Sequence, residues 1–326
     1  MSREKSLVHN ILFSKKKCRY EDFENIDLEN VIKITSSHLV IPPFYLKIVK
    51  NNYTKYFPVE FINYLEEIFE INKNRNKILL EELNKIDKIL HPFKGKYIFI
   101  KGAYLLRNKF YTNFGERMVG DIDFLVKENK FNSVVEILHK NKFKSEYLLK
   151  FRKSNHYPRL INEKFFFGLE PHNNILKKHN NLINLDKLFG NKKSELQCEL
   201  IKIIILNSEI NDHGHFFANY NYRTIYDIFL FEEKIINNIN ATENKYLRRF
   251  FLKTNIIGLT SNKIILNFWD KLYKRRFKLK NNNKLYRKTD EFFCRSFQKI
   301  YLLDKKIIEF LFNKSYRKKI IKFYYR

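Results

Sequence analysis

Cysteine is scarce, with three residues in 326: Cys18, Cys198 and Cys294. They are odd in number and far apart, which excludes a disulfide framework and a zinc-ligand spacing. The expected compartment is therefore the reducing cytoplasm. Long apolar runs are also missing. None approaches the roughly 20 residues a helix needs to cross a bilayer, so no transmembrane segment is expected. The opening MSREKSLVHNILFSKKK has neither the apolar core nor the small-residue cleavage pattern of a signal peptide. No internal repeat is visible. Negative charge is in short supply: 35 Asp and Glu stand against 63 Lys and Arg, a formal charge of +28.

Hydrophobic residues make up 44% of the chain, including 32 Phe and 20 Tyr, which is enough for a sizeable core and argues against a disordered chain. The length suits one large domain or two modest ones. Two readings of the charge compete. A polyanionic partner, nucleic acid or an anionic membrane surface, would use it. A genome rich in AT codons would supply Lys, Asn, Ile, Phe and Tyr together with no such partner.

Residues 1–95 read as a helical region. Asp22–Ile34 has helical spacing, Pro42-Pro43 interrupts it, and Val59–Leu90 carries a near-continuous apolar stripe that stops at His91-Pro92. Its middle, Asn72–Lys77, is polar, leaving one long helix or two, and packing is the expected role. Residues 96–180 alternate: a strand at Tyr97–Ile100, a helix at Ala103–Lys109, a strand at Ile122–Val126, a helix at Phe131–Leu138 and a strand at Lys164–Glu170. This order predicts an α/β (α+β) core with a small mixed sheet, flanked by helical regions. Residues 181–326 return to helix, at Leu196–Leu206 and Tyr222–Ile236. From Lys271 onward, nineteen Lys and Arg face four Asp and Glu, with aromatics interleaved.

Two carboxylates in the second strand bear on chemistry. Residues i and i+2 of a strand share a face, so Asp121 and Asp123 project together. Like charges side by side are costly unless a cation neutralises them, and Mg²⁺ takes carboxylate oxygens together with substrate phosphates. A third carboxylate, Glu170, on a neighbouring strand would complete a two-metal cradle for in-line phosphoryl chemistry. A bare Asp-x-Asp is short, and a solvated strand end is the competing explanation.

The segments Lys101-Gly102-Ala103, Arg117, Gly120-Asp121-Ile122-Asp123-Phe124-Leu125-Val126 and Leu169-Glu170-Pro171-His172 resemble the uncharacterised nucleotidyltransferase family. The likeness extends over about residues 35–235, taking in Asn74-Arg75-Asn76, Leu83, His213, Arg223 and Tyr226-Asp227. The chain has Gly102-Ala103 where the wider superfamily has Gly-Ser, so a serine contact to phosphate is absent. The interval from Gly102 to Asp121 is longer than in compact members, and Pro171 stands between Glu170 and His172.

The resemblance implies an enzyme that moves an NMP group from an NTP to an acceptor: a sugar, small molecule, protein or RNA. Asp121 and Asp123 would bind two Mg²⁺ (or Mn²⁺) ions, and Glu170 would hold the catalytic ion and help deprotonate the acceptor. Gly102 and Ala103 would let the backbone approach the phosphates at a helix N-terminus. Lys101 and Arg117 would clamp phosphate; alternatively Lys101 is a solvated strand end and Arg117 pairs with Asp121. His172 would line the site, and Arg223 and Asp227 would face the nucleotide cleft, unless they simply pair with each other one turn apart. His156, His213 and His215 lack a metal-ligand spacing and read as structural. The basic tail could bind RNA, lie on an anionic membrane, or form a helical subdomain with solvated lysines. Two alternatives accompany the transferase: an RNA-directed, tRNA-modifying or toxin-like enzyme, and a non-catalytic nucleotide- or polyanion-binding protein on the same fold.

Overall fold

The computed structural model describes residues 2–14, 16–145, 157–176, 179–260 and 264–300, and the backbone of 301–312. The N-terminal helices start where their caps dictate. Ser2 accepts from the Lys5 amide to begin α1 (Arg3–Phe13), and Asp27 accepts from the Asn30 amide to begin α2 (Leu28–Ser37). The helix expected from Asp22 therefore starts later, after a short 3₁₀ turn at Tyr20–Asp22. Pro42 and Pro43 separate α2 from α3 (Ile41–Lys50), and they do so by occupying the first turn of α3, where a missing N–H costs nothing.

Pro58 leads into α4 (Val59–Ile89), a single helix of 31 residues. Its buried stripe runs Phe61, Leu65, Phe69, Asn72, Asn76, Leu79, Leu83, Ile86, an unbroken three–four spacing. The polar middle thus does not split the helix. Asn72 and Asn76 sit on the stripe itself, facing the protein.

β1 (Tyr97–Phe99) leads through α5 (Lys101–Arg107) to β2 (Ile122–Val126) and α6 (Phe131–Lys140). The sheet is completed by β3 (Lys144–Ser145), β4 (Leu160–Ile161) and β5 (Leu169–His172). Strand order is β1-β2-β5-β4-β3, with β2 and β5 parallel and the other neighbours antiparallel. The face of β2 away from Asp123 is apolar: Ile122, Phe124 and Val126 are buried, as are their neighbours Phe99, Leu160 and Leu169, and Leu125 is buried on the other face.

The third strand differs from its expected span. Phe165–Gly168 forms a turn, and pairing begins only at Leu169. The Phe166 and Phe167 amides donate to the buried carboxylate of Glu82, at 2.5 and 3.1 Å, instead of to a strand. Phe167 is buried and Phe166 exposed, with the Arg75 guanidinium 5.6 Å from both ring centres. The apolar run FFF is a capped turn in which Phe166 and Phe167 meet Arg75 of α4 and Phe165 packs on Phe143, ring centres 4.8 Å apart.

The chain continues with α7 (Leu185–Leu188), α8 (Lys193–Leu206), a π-helical turn at Asn207–Asn211, α9 (Tyr222–Phe229), α10 (Glu233–Asn237) and α11 (Lys245–Ile256). The helix expected over Tyr222–Ile236 is therefore two, parted where Phe231 turns inward against Phe110, ring centres 4.7 Å apart. All of this, residues 1–215 and 220–266, forms one compact unit, and the expected boundaries at 95 and 180 fall inside it.

A second unit comprises residues 216–219 and 267–326. In it, α12 (Phe268–Asn282) starts at a reciprocal cap between Asn267 and Asp270 and turns back into α13 (Lys284–Phe312). Arg276 grips Asp290 through two bonds of 2.7 and 2.9 Å, and Tyr273 and Phe277 are buried. No helix is long and apolar enough to cross a membrane among the described residues.

Candidate nucleotidyl-transfer site

The site is set by a register. β2 and β5 run parallel with Asp123 opposite Glu170 and Leu125 opposite His172. Paired residues of adjacent strands share a face, and so do residues two apart in one strand. Asp123, Glu170 and His172 therefore leave the sheet on the same side. One ligand atom from each lies within 4.8 Å of the others. The imidazole Nε2 of His172 is 2.8 Å from Asp123 Oδ1 and 3.9 Å from Glu170 Oε2. Two carboxylate oxygens and an imidazole nitrogen form a donor set that fits a divalent cation; the oxygens suit Mg²⁺, and Mn²⁺ accepts the mixed set as well.

Lys101 completes this cluster. β1 ends with the Ile100 amide bonded to the Asp123 carbonyl at 3.0 Å, and the chain then turns into α5. Lys101 takes that corner at φ +53°, in the left-handed region that costs a side-chain-bearing residue about 1 kcal/mol. The turn delivers its ammonium to 2.7 Å from Asp123 Oδ1. Burial alone would raise the Asp123 carboxyl, but the Lys101 ammonium and the hydrogen bond from His172 more than offset it and hold Asp123 well below the usual carboxylate range.

Asp121 stands apart from the cluster. Its Oδ1 takes a 2.6 Å bond from Arg159 Nε. Arg159 reaches it by lying across Gly168, where a Cβ would come within 2.3 Å of Nε. The group whose ligand atoms converge is Asp123, Glu170 and His172, and Asp121, one residue before β2, has its oxygen on Arg159.

Gly102 and Ala103 are buried at the start of α5. The space a Cβ would need at Gly102 is filled by Arg117 Nη1 at 2.7 Å and Val119 Cγ2 at 2.8 Å, so the glycine admits Arg117. Arg117 does not pair with Asp121. Its Nε lies 3.1 and 3.0 Å from the two oxygens of Asp227, and Nη2 lies 2.9 Å from Oδ2. Tyr111 donates to the same Asp227 at 2.5 Å. Burial works against the Arg117 charge, and Asp227 outweighs it, raising the guanidinium above its ordinary value. Asp227 is thus matched by Arg117 rather than by Arg223 one turn earlier. Arg223 is half-buried, and among the described residues no carboxylate or carbonyl is hydrogen-bonded to its guanidinium. Burial, and then the like charge of Arg117, push Arg223 below the ordinary arginine value.

Several residues that carry this architecture carried no functional expectation. Asn72 donates to the carbonyls of Gly115 and Arg117 at 2.7 and 3.0 Å, and Asn76 to those of Phe114 and Arg117 at 2.5 and 2.8 Å. Glu116 accepts from Thr112, the Asn113 amide and Tyr226. The loop before β2 is thereby fastened to α4 on one side and α9 on the other, while Glu82 fastens the turn before β5. The signal for Asn72 and Asn76 was their i, i+4 spacing on the apolar stripe; Arg159 had none. His213 adopts φ +60°, and His215 stacks edge-on with Tyr246 and meets Arg249 at 3.1 Å. His156 lies outside the described residues.

No curated protein and no solved structure matches the chain. A family model does: one described as an uncharacterised nucleotidyltransferase matches residues 24–231, the stretch that contains α4, the whole sheet and α9. With a match over more than half its length, carrying the Asp123–Glu170 register inside it, the chain belongs to the uncharacterised nucleotidyltransferase family.

Proposed function

We propose that the protein transfers the nucleotidyl group of an NTP to an acceptor hydroxyl, with a divalent cation, Mg²⁺ or Mn²⁺, held by Asp123 and Glu170. The observation that carries this reading is the pairing of Asp123 with Glu170 across two parallel strands, with His172 beside them. A bound cation would supply charge neutralisation at the α-phosphate and orient it for in-line attack. The acceptor oxygen attacks the α-phosphorus, the bond from the α-phosphorus to the bridging oxygen breaks, and pyrophosphate leaves. Glu170 is the base that takes the acceptor proton. Lys101, which in this state neutralises Asp123, turns to the phosphates once a cation occupies that carboxylate. Arg223, a half-buried cation beside Arg117 to which no described carboxylate is hydrogen-bonded, is the second phosphate ligand. Asp121 serves the NTP-bound state after exchange of its Arg159 partner. Gly102 and Ala103 shape the corner that presents Lys101, and Arg117 with Asp227 supports the cleft wall. The acceptor's class is open between sugar, small molecule, protein and RNA. The basic segment from Lys271 is the part of the chain suited to a polyanionic surface.

The test is transfer of label from α-³²P-NTP, with Mg²⁺ or Mn²⁺, to acceptors in a lysate of the source cell. Labelling by the intact protein that is lost in Asp123→Asn and in Glu170→Gln supports the reading. Labelling equal to wild type in either variant removes it.

A further inference from the structure

The second unit has a surface that the nucleotidyl-transfer reading does not use. In α13, Leu285, Phe292, Phe293, Phe297 and Ile300 are 58% to 72% exposed. At 100° per residue they fall on one arc of the helix, and the positions between them on that arc up to residue 300 are Tyr286, Thr289 and Ser296, all uncharged. Within residues 284–300 the acidic side chains, Asp290 and Glu291, lie off this arc. Asp290 is bound by Arg276 at 2.7 Å and by Lys280 at 3.4 Å, and Glu291 by Lys280 at 3.4 Å, which fixes the side that faces α12. Along the margin of the apolar arc stand Lys284, Lys288, Arg295 and Lys299, all exposed. The α12 helix repeats the arrangement, with Phe268, Leu272 and Leu279 on one arc, 66%, 44% and 39% exposed, and Trp269 beside them at 67%. Between residues 267 and 300 there are eleven Lys and Arg and three Asp and Glu.

We propose that α12 and α13 dock on an anionic lipid bilayer, with the apolar arc of α13 inserted at the level of the acyl boundary and its basic margin among the headgroups. This inference is independent of the nucleotidyl-transfer reading. An interfacial helix needs an apolar face free of charge, bordered by Lys and Arg, and residues 284–300 of α13 have both. Charge complementarity selects anionic headgroups, to which Lys and Arg near the surface are attracted. RNA fits the same charge but not the same face. Single strands are held by rings interleaved with cations along a groove. Here the cations lie to one side, and Leu285, Ile300, Leu272 and Leu279 have no ring to stack on a base.

Trp269 is the chain's only tryptophan, so its emission reports on this unit alone. The full-length protein is mixed, at physiological salt, with vesicles of phosphatidylcholine or of phosphatidylcholine with about one-third phosphatidylglycerol, and sedimentation and Trp emission are recorded. The expected result is sedimentation with the anionic vesicles at least about tenfold stronger than with the neutral ones, with emission moving to shorter wavelength. The triple variant Phe292→Ser/Phe293→Ser/Phe297→Ser and the triple variant Lys288→Glu/Arg295→Glu/Lys299→Glu each lose about tenfold or more of the binding. All six side chains are exposed, so circular dichroism and melting should match the wild type. The proposal is overturned if anionic vesicles do not bind, or if the triple serine variant binds as the wild type does. Binding of bulk tRNA without vesicle binding assigns the surface to RNA. A concentration-dependent dimer without vesicle binding assigns it to a second copy of the chain. Both outcomes overturn the bilayer.

Discussion

Lys101 Nζ and Asp123 Oδ1 are 2.7 Å apart, and the lysine reaches that position from a left-handed backbone conformation. The corner after β1 is therefore shaped around the carboxylate that β2 presents. With His172 on the same oxygen, Asp123 has two neighbours that favour its charged form. The Lys101 ammonium and the His172 imidazole thus occupy the carboxylate oxygen where the proposed chemistry would put a metal.

That arrangement gives a pH dependence with a definite sign. Because Asp123 is held below its ordinary carboxylate value, the folded state resists its protonation more than the unfolded chain does. Its contribution to stability is fully present above the unfolded value of about 4, and it is lost as pH falls toward the lower folded value. Urea denaturation of wild type and Asp123→Asn in chelator should show a stability gap that is constant near neutrality and narrows as pH falls below about 4. A gap that widens on acidification would contradict the pairing with Lys101.

Glu82 is expected to act on the site without touching it. Its carboxylate accepts both amides of the turn before β5, and β5 carries Glu170 and His172. Glu82→Gln keeps the size of the side chain but weakens two charge-assisted bonds at once. Mn²⁺ titration followed by electron paramagnetic resonance should show affinity reduced by about tenfold, as loss of an outer-shell partner does. A stability loss of about 1–2 kcal/mol is expected alongside. A loss of stability with unchanged Mn²⁺ affinity would make Glu82 a folding residue only.

What was legible in the chain, and what was not, follows the distance over which each interaction acts. The stripe of α4 and the strand Ile122–Val126 were readable because helix and strand periods are local. The acidic end of the third apolar run marked Glu170, although its strand begins four residues after the run's first phenylalanine, Phe165. Two-residue strands such as β3 and β4 leave no period to read. The partners of Asp121 and Arg117 were beyond reach for a different reason. Arg159 lies 38 residues from Asp121, and Asp227 lies 110 from Arg117, so only the folded packing brings them together. Local spacing favoured Asp121 beside Asp123 and Asp227 beside Arg223. In both cases a distant arginine of better geometry took the carboxylate.

The Arg117–Asp227 pair should be a large stability element. Both side chains are buried, and Tyr111 adds a third group to the cluster. Asp227→Asn leaves a buried guanidinium without its counter-charge, which costs about 3–5 kcal/mol. Thermal unfolding should register this as a fall of several degrees, well beyond the effect of an exposed pair such as Lys33 with Glu29, where Glu29→Gln should cost less than about 1 kcal/mol.

Arg223 should behave in the opposite way, and the contrast separates a ligand-binding cation from a structural one. Burial and the neighbouring Arg117 both work against its charge. Together they outweigh the attraction of Asp227 and Asp212, so Arg223 is a charge held at a cost in the free protein, and an anion beside it would offset that cost. Arg223→Met, which keeps the aliphatic stem and removes the charge, should leave the melting temperature unchanged or raise it. The same variant should raise the KM for NTP by about tenfold or more, because a charge-assisted phosphate contact contributes about 1.5–3 kcal/mol. Lysine at this position should restore part of the affinity, as a point charge without the planar fork. A variant that unfolds more easily yet binds NTP as wild type does would assign Arg223 to the fold. A rise in melting temperature with loss of NTP affinity would assign it to the substrate, since only a group held at a cost to the free protein gives both signs at once.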